Sequence, residues 1–262
     1  MTGSFMDTFS KTNESGFADA LTCEARGLDL LREAVQASGT AGVAIPEVLS
    51  VDEKTLVIPR IFGRPATADL MAGLGEGLAG IHQQQATRYG LDHDNYIGLA
   101  RQKNTWSDDW GQFFLDYRLG YQVGLIRNSQ VRAEFEQVLS RNAVALVAFL
   151  NRHCDRPSLI HGDLWSGNAL FDRERAWLID PAVYYGDREA DLAMTEFFGG
   201  FEPAFYQAYD RVWPRTMAYP AKRSIYNLYH ALNHYNLFGS GYLGACRQLL
   251  LDFETCLTSS ER

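Results

Sequence analysis

Residues 159–168, LIHGDLWSGN, and residues 178–181, LIDP, decide how this chain folds. The first stretch carries His161, Asp163 and Asn168 in the H-x-D-x-x-x-x-N spacing of a kinase catalytic loop, and in the second an acid follows an apolar run. Short motifs also arise by chance, so the alternative is a polar turn with a buried histidine and an asparagine cap. The apolar strand patterns beside both stretches favour the catalytic loop.

The chemistry of phosphoryl transfer explains these residue types. An acceptor hydroxyl must be oriented towards the γ-phosphate of ATP and lose its proton, and the Asp163 carboxylate suits that role. Mg²⁺ prefers oxygen ligands, which the Asn168 amide and the Asp180 carboxylate supply. We therefore predict Asp163 as the catalytic base and Asn168 and Asp180 as residues that bind metal and nucleotide. His161 is predicted to brace the loop.

Two differences from protein kinases bear on the substrate. Gly162 stands where those enzymes have an arginine before the catalytic aspartate, and Asp180 is followed by Pro181 and Ala182 instead of Phe-Gly. Control by a phosphorylated activation loop uses that arginine and phenylalanine. The sequence therefore predicts a small-molecule kinase whose site is permanently shaped.

Composition excludes several other classes. The 262 residues are 46% apolar and 21% charged, and the net charge is −8, which argues against a nucleic-acid footprint or an anionic membrane surface. No apolar run approaches the length of a membrane span, and the N-terminus lacks the basic and apolar regions of a signal peptide. The four cysteines are scattered without a C-x-x-C pair, which is typical of reduced thiols. A cytoplasmic location is expected.

Periodicity predicts a small β region followed by a helical one. Strands are expected over 5–12, 43–51 and 55–61, a helix over 17–38, and mostly helices over 66–262 with a strand-rich insert at 159–180. The G-x-G-x-x-G pattern at residues 75–80 lies on a helical apolar face. We expect these glycines to permit close helix packing rather than to bind a dinucleotide.

The segment 161–201 closely resembles the fructosamine kinase, or ketosamine kinase, family, a branch of the aminoglycoside phosphotransferase-like kinases. Residues 94–98 (DNYIG), 102–106 (QKNTW) and 233–242 (NHYNLFGSGY) resemble further family segments. The likeness covers nearly the whole chain from Phe9 onward. It is therefore more specific than the catalytic-loop spacing alone.

This resemblance implies an α+β, bilobal protein-kinase-like fold, with an N-terminal lobe over 1–64 and a helical C-terminal lobe over 65–262. Family members use ATP to phosphorylate the sugar 3-hydroxyl of ketosamines, and the unstable ester then releases the sugar, which amounts to deglycation. The expected partner is thus a small-molecule ketosamine or glycated amine, and the cofactors are ATP and Mg²⁺.

The resemblance also assigns nucleotide-binding residues. Lys11 matches the lysine that holds the α- and β-phosphates, and Glu24 matches its helix partner; a solvated lysine and glutamate are the alternative. The adenine is expected at the hinge, near Val57, Ile58 and Pro59, where backbone groups would face the base.

The chain departs from the family at its start. It begins about ten residues before Lys11, which is too few for the two strands and the glycine-bearing turn that cover the phosphates in the family. A shortened N-terminal lobe is therefore expected. Three explanations stay open: a misassigned or trimmed start, a short kinase with weak ATP affinity, or an inactive pseudokinase that acts as a binding module.

The substrate-side candidates are Trp165, Trp106, Asp109 and His234. Aromatic faces can stack on a sugar, and a carboxylate can meet a cationic amine. Helix capping by Asp109 and a satisfied core histidine are the alternatives. Asp191 is predicted to anchor the catalytic loop. Another amino alcohol or an aminoglycoside is the alternative acceptor, and the sugar, the amine and the oligomeric state are undetermined.

Overall fold

The computed structural model describes residues 7–260, with side chains described as far as residue 256. The strands are β1 Thr8–Thr12, β2 Val43–Ala44, β3 Ser50–Val51, β4 Thr55–Pro59, β5 Asn95–Ile97, β6 Ala100–Gln102, β7 Ser158–Ile160, β8 Ala169–Phe171, β9 Ala176–Leu178 and β10 Tyr184–Gly186. The α-helices are α1 Ala20–Ser38, α2 Ala68–His82, α3 Trp110–Phe114, α4 Tyr121–Gly124, α5 Ser129–His153, α6 Glu189–Thr195, α7 Pro203–Val212, α8 Tyr219–Phe238 and α9 Leu243–Ser260. A π-helix spans Leu115–Gly120, and 3₁₀ turns span Ser166–Asn168 and Ser240–Tyr242.

The N-terminal sheet has three antiparallel strands in the order β1-β4-β3, and Lys11 pairs with Leu56. Helix α1 packs beside this sheet through an apolar face that includes Leu28 and Leu31, both buried. It ends at Gly39, whose φ of 67° is the left-handed value that favours glycine at a helix C-terminus. Residues 5 and 6 of the first predicted strand lie outside the described residues.

The single strand predicted over 43–51 is wrong. Two short strands form there and belong to different sheets: β2 pairs in parallel with β9, and β3 pairs with β4. Pro46 lies between them and lacks the N–H that a continuous ladder needs. The strand predicted over 55–61 ends earlier, at Pro59.

The remaining chain is mainly helical, and its glycines confirm the close-packing interpretation of residues 75–80. They lie inside α2, which packs extensively against α7. A Cβ atom at Gly75 would approach the Phe205 carbonyl oxygen to 2.2 Å, and one at Gly77 would approach Val43 to 2.6 Å. In the part of the chain that the structure describes, no helix is both long and apolar enough to cross a membrane.

Candidate active site

The catalytic-loop motif lies between β7 and β8, and its glycine is required by geometry. Gly162 has φ +82°, and a Cβ atom there would come within 2.1 Å of the Ala182 carbonyl oxygen. The backbone of residues 182–183 therefore lies directly against the loop. An arginine at this position, as in protein kinases, would not fit.

Asp191 holds the loop from α6. Its carboxylate accepts the backbone N–H groups of His161 at 2.6 Å and Gly162 at 2.8 Å, and the Nε2 atom of buried His82 lies 3.2 Å away. Burial alone would raise the pKa of Asp191, but these hydrogen bonds hold it below its usual value. This arrangement matches the anchoring role predicted from the sequence.

His161 braces the same loop. Its Nδ1 atom accepts the Asp163 N–H at 3.3 Å, so its Nε2 carries the proton that is donated to the Ile179 carbonyl at 3.0 Å. Burial lowers the pKa of His161, which keeps the ring neutral. The side chain thus connects the loop to the strand that leads to Asp180.

The predicted base and its neighbours line one cavity. Asp163, Asn168 and Asp180 all face it, and the Asn168 side-chain amide donates to the Asp163 carbonyl at 2.8 Å. Burial, and then the charges of Asp180 and Asp191, raise the pKa of Asp163 to about 7. A carboxylate in that range is suited to exchange protons at neutral pH.

Lys11 joins the N-terminal sheet to this cavity. Its Nζ lies 2.7 Å from Glu24 and 3.1 Å from Asp180. Burial would lower the pKa of Lys11, but the two carboxylates raise it above its usual value. The strand lysine and helix glutamate thus form the ion pair predicted from the sequence, and the positive charge lies beside Asp180.

The cavity holds about 250 Å³ and has an aromatic side. Trp165 and His234 line it, as does Phe238. The Phe198 ring lies 4.9 Å from the His234 ring and 5.9 Å from the Trp165 ring, so the catalytic loop and α8 share one aromatic cluster.

Trp106 and Asp109, by contrast, do not line this cavity. Trp106 stacks on Tyr185 at 6.2 Å, and Asp109 accepts the Gln112 N–H at 2.7 Å as the N-cap of α3. Asp109 also accepts from Asn151 at 2.9 Å. The capping alternative accounts for Asp109, and the substrate prediction for both residues is corrected.

The hinge residues are also absent from the cavity lining. Val57, Ile58 and Pro59 form the central strand β4, and the Val57 carbonyl accepts the Leu49 N–H at 2.8 Å. The Val57 carbonyl is therefore already hydrogen-bonded at the edge that β4 shares with β3. An adenine contact at Val57, Ile58 and Pro59 stays a prediction.

The donor set at the cavity fits a hard divalent cation. The side-chain nitrogen of Asn168 donates a hydrogen bond to the loop, which leaves the side-chain oxygen available as a metal ligand. Asp180 presents a half-exposed carboxylate. Asp180 has φ +54°, the one such value among non-glycine residues of the described chain. The described residues hold no group of three or more His, Cys, Asp or Glu side chains able to bind a metal. Two oxygen donors beside a phosphate site suit Mg²⁺, which commonly completes its shell with phosphates and water.

Several residues around the cavity were not predicted as site residues. Cys23, Asn95, Tyr96 and Leu237 also line it. Asn95 and Tyr96 belong to the segment 94–98 that resembles the family, which was the available signal. Nothing in their spacing indicates which atoms they contact.

Comparison with known proteins gives a consistent result. The family model described as fructosamine kinase matches residues 2–255. A "probable ketoamine kinase" of Vibrio cholerae is 38% identical, over 92% of this chain and 83% of its own length. The "protein-ribulosamine 3-kinase, chloroplastic" of Arabidopsis thaliana is 36% identical, over 96% of this chain and 76% of its own length.

Solved structures agree on the fold. The crystal structure of a "putative fructosamine-3-kinase" from Thermobifida fusca superposes with a TM-score of 0.82 at 28% identity, over 95% of this chain and 85% of that one. A choline/ethanolamine kinase family protein from Mesorhizobium loti gives 0.58 at 17% identity, over 96% and 86%, and shows the fold alone. The kinase-like α+β fold predicted from the sequence is confirmed. The division at residue 64 stays a prediction.

Proposed function

The chain belongs to the fructosamine kinase family, and we propose that it transfers the γ-phosphoryl group of ATP to the sugar 3-hydroxyl of a ketosamine. It is an ATP-dependent kinase with an alcohol group as acceptor. One observation carries the assignment: a partly buried carboxylate of raised pKa, Asp163, shares a cavity with the Lys11–Glu24–Asp180 cluster. The aminoglycoside and pseudokinase alternatives are not favoured.

Asp163 is the proposed catalytic base. Its carboxylate would accept a hydrogen bond from the acceptor hydroxyl, orient the oxygen towards phosphorus and take the proton as the P–O bond forms. The leaving ADP keeps the electron pair of the broken bond. Because its pKa lies near 7, Asp163 is ionised and ready to accept this proton above neutral pH.

Lys11 is the proposed phosphate-binding residue. Glu24 holds its ammonium at the edge of the cavity at 2.7 Å, which fixes a flexible side chain before the nucleotide binds. Asn168 and Asp180 would hold the divalent ion, proposed as Mg²⁺, which neutralises phosphate charge when bound. The adenine is proposed to contact the backbone at the hinge, near Val57, Ile58 and Pro59.

The aromatic side of the cavity is the proposed sugar and amine site. His234 donates its Nδ1–H to the His230 carbonyl at 2.8 Å, so its Nε2 is an acceptor. Burial lowers the pKa of His234, and the neutral ring does not repel an ammonium group. Trp165 offers a ring face to the sugar or its amine. We further propose a cytoplasmic location, in keeping with Cys23 and Cys246, which are buried and not joined in a disulfide bond.

The test is ketosamine-dependent ADP release with Mg-ATP, using ribulosyl-, erythrulosyl- and fructosyl-lysine. Asp163→Asn should lower kcat at least a hundredfold, because the base is lost while the shape is kept. Asp109→Asn is the matched control: it changes a carboxylate outside the cavity and keeps a good helix cap, so activity should stay within twofold. Equal turnover by Asp163→Asn and the parent chain would refute the assignment of the base.

A further inference from the structure

Two buried amide side chains hold the backbone that follows Asp180. Asn95 donates through Nδ2 to the Val183 carbonyl at 2.8 Å, and Gln102 donates through Nε2 to the Ala182 carbonyl at 3.0 Å. The same Nε2 of Gln102 donates to Asn95 Oδ1 at 2.9 Å. The hairpin β5–β6 therefore presents a pair of donors to two consecutive carbonyl groups.

A second layer fixes these two amides. Asn104 donates to Asn95 Oδ1 at 2.7 Å, and Arg118 donates to Asn104 Oδ1 at 2.8 Å. Tyr229 donates its hydroxyl proton to Gln102 Oε1 at 2.7 Å. Asn95, Gln102, Asn104 and Arg118 are 3%, 1%, 0% and 0% exposed, so each polar atom depends on its protein partners. Apart from Arg118 Nε, which is buried without a hydrogen-bond partner in the described part of the chain, the side-chain nitrogen and oxygen atoms of these four residues are paired, and a buried network of this kind favours a single geometry.

Arg118 brings a buried positive charge to the network, and none of its hydrogen-bond partners among the described residues is a carboxylate. It donates to the carbonyls of Lys103 and Tyr117, and its guanidinium lies 3.9 Å from the Tyr184 ring centroid. It stands on the π-helix Leu115–Gly120, a rare irregularity that occurs frequently at functional sites. Burying this charge costs stability, so its contribution lies in ordering the groups that it contacts.

The segment that these groups hold joins the metal site to the catalytic loop. Asp180 has a left-handed backbone at φ +54°, and Pro181 follows it. Ala182 donates its N–H to the His161 carbonyl at 2.8 Å, and β10 then pairs with β7, which precedes the loop. The position of the Asp180 carboxylate thus depends on how residues 182–183 are held.

We propose that Asn95 and Gln102, supported by Asn104 and Arg118, are positioning residues that fix Asp180 for metal binding. The inference rests on the proposed function, in which Asp180 holds the divalent ion. Protein kinases order the corresponding segment by phosphorylation of an activation loop. In this chain a permanent amide network has that role, and it assigns a task to Asn95, Gln102 and Asn104.

The test compares Mn²⁺ binding to the full chain in the presence of ADP, measured by electron paramagnetic resonance of free Mn²⁺. Gln102→Met, and Asn95→Ala as a smaller change that leaves room for water, should weaken Mn²⁺ binding about tenfold, the scale of an outer-shell effect. Backbone amide exchange of residues 182–186 should accelerate in both variants. Tyr206→Phe is the matched control: it removes a hydroxyl that accepts the Phe201 N–H at 3.2 Å and lies outside this network. It should change the Mn²⁺ dissociation constant less than twofold.

Unchanged exchange at residues 182–186 in both Gln102→Met and Asn95→Ala would overturn the proposal. So would an equal loss of Mn²⁺ affinity in Tyr206→Phe, because the effect would then follow general destabilisation. The variant Asp180→Asn tests the metal assignment by itself. If it binds Mn²⁺ as the parent chain does, the assignment under the proposed function fails, whereas the exchange measurement, which involves no metal, still reports on the positioning.

Discussion

Replacement of Asp163 by asparagine should stabilise the folded protein while it abolishes catalysis. The pKa of Asp163 is raised to about 7 from its ordinary value of 3.8, because burial and the charges of Asp180 and Asp191 oppose ionisation. The unfolded chain ionises this carboxyl at the ordinary value. Between these two pH values the folded state therefore loses stability relative to the unfolded state as the pH rises.

The magnitude follows from the two pKa values. They differ by about three units, and one unit corresponds to about 1.4 kcal/mol, so the penalty in the parent chain has an upper limit of about 4 kcal/mol. The Asp163 side chain faces a cavity that water can enter, which screens part of this penalty. We expect Asp163→Asn to gain about 1–2 kcal/mol at pH 8 and nothing below about pH 4.

The measurement is urea unfolding of both proteins from pH 4 to pH 8.5 without nucleotide or metal. The stability difference should grow as the pH rises and become constant above about pH 7. A control with Gly244→Ala, which changes no titratable group, should show no such growth. If the difference in the free energy of unfolding did not depend on pH, or if the variant were less stable than the parent chain at pH 8, the argument that ionised Asp163 destabilises the folded state would be refuted.

Three further outcomes follow from the site. The kcat/KM for the acceptor should fall about tenfold per pH unit below about pH 7, because protonated Asp163 cannot accept a proton; a flat profile would contradict its role as base. Lys11→Met should raise the KM for ATP at least tenfold, as measured by ADP release, and an unchanged KM would refute phosphate binding by this residue. Gly162→Ala should lower the free energy of unfolding by about 2 kcal/mol or more, because the new Cβ would lie 2.1 Å from the Ala182 carbonyl oxygen and because alanine rarely adopts the φ of +82° found there. Gly244→Ala, whose Cβ meets nothing within 4 Å inside α9, is the matched control and should be neutral or stabilising in the same unfolding assay.

The parts of the fold that depend on short stretches of sequence could be predicted. The catalytic loop and the following strand bring their own residues into place, so the spacing of Asp163 and Asn168 was enough to group them. The helix over residues 75–80 was equally clear from its apolar period. The pair Lys11 and Glu24 was assigned from the family resemblance, and its predicted place on a strand and the following helix agreed with that assignment.

Long-range partners set the limit of that reasoning. An acid beside two tryptophans suits a sugar amine as well as a helix cap, and only the structure, in which Asp109 accepts the Gln112 N–H and does not line the cavity, shows that it is a cap. Likewise, Asn95 and Arg118 appear in the sequence as separate polar residues, because the network that unites them joins a hairpin, a π-helix and α8. No local pattern encodes which carbonyl a buried amide will meet.

The parallel pairing of β2 with β9 bears on how the protein is made. Val43 and Ala44 leave the ribosome long before Ala176 and Trp177, their partners in the sheet. The nascent chain can form α1 early, but β2 cannot pair until β9 has emerged. Contacts between residues so distant in sequence also form slowly. We expect the growing chain to expose apolar surface near β2 until β9 has emerged, and to depend on chaperones during that time.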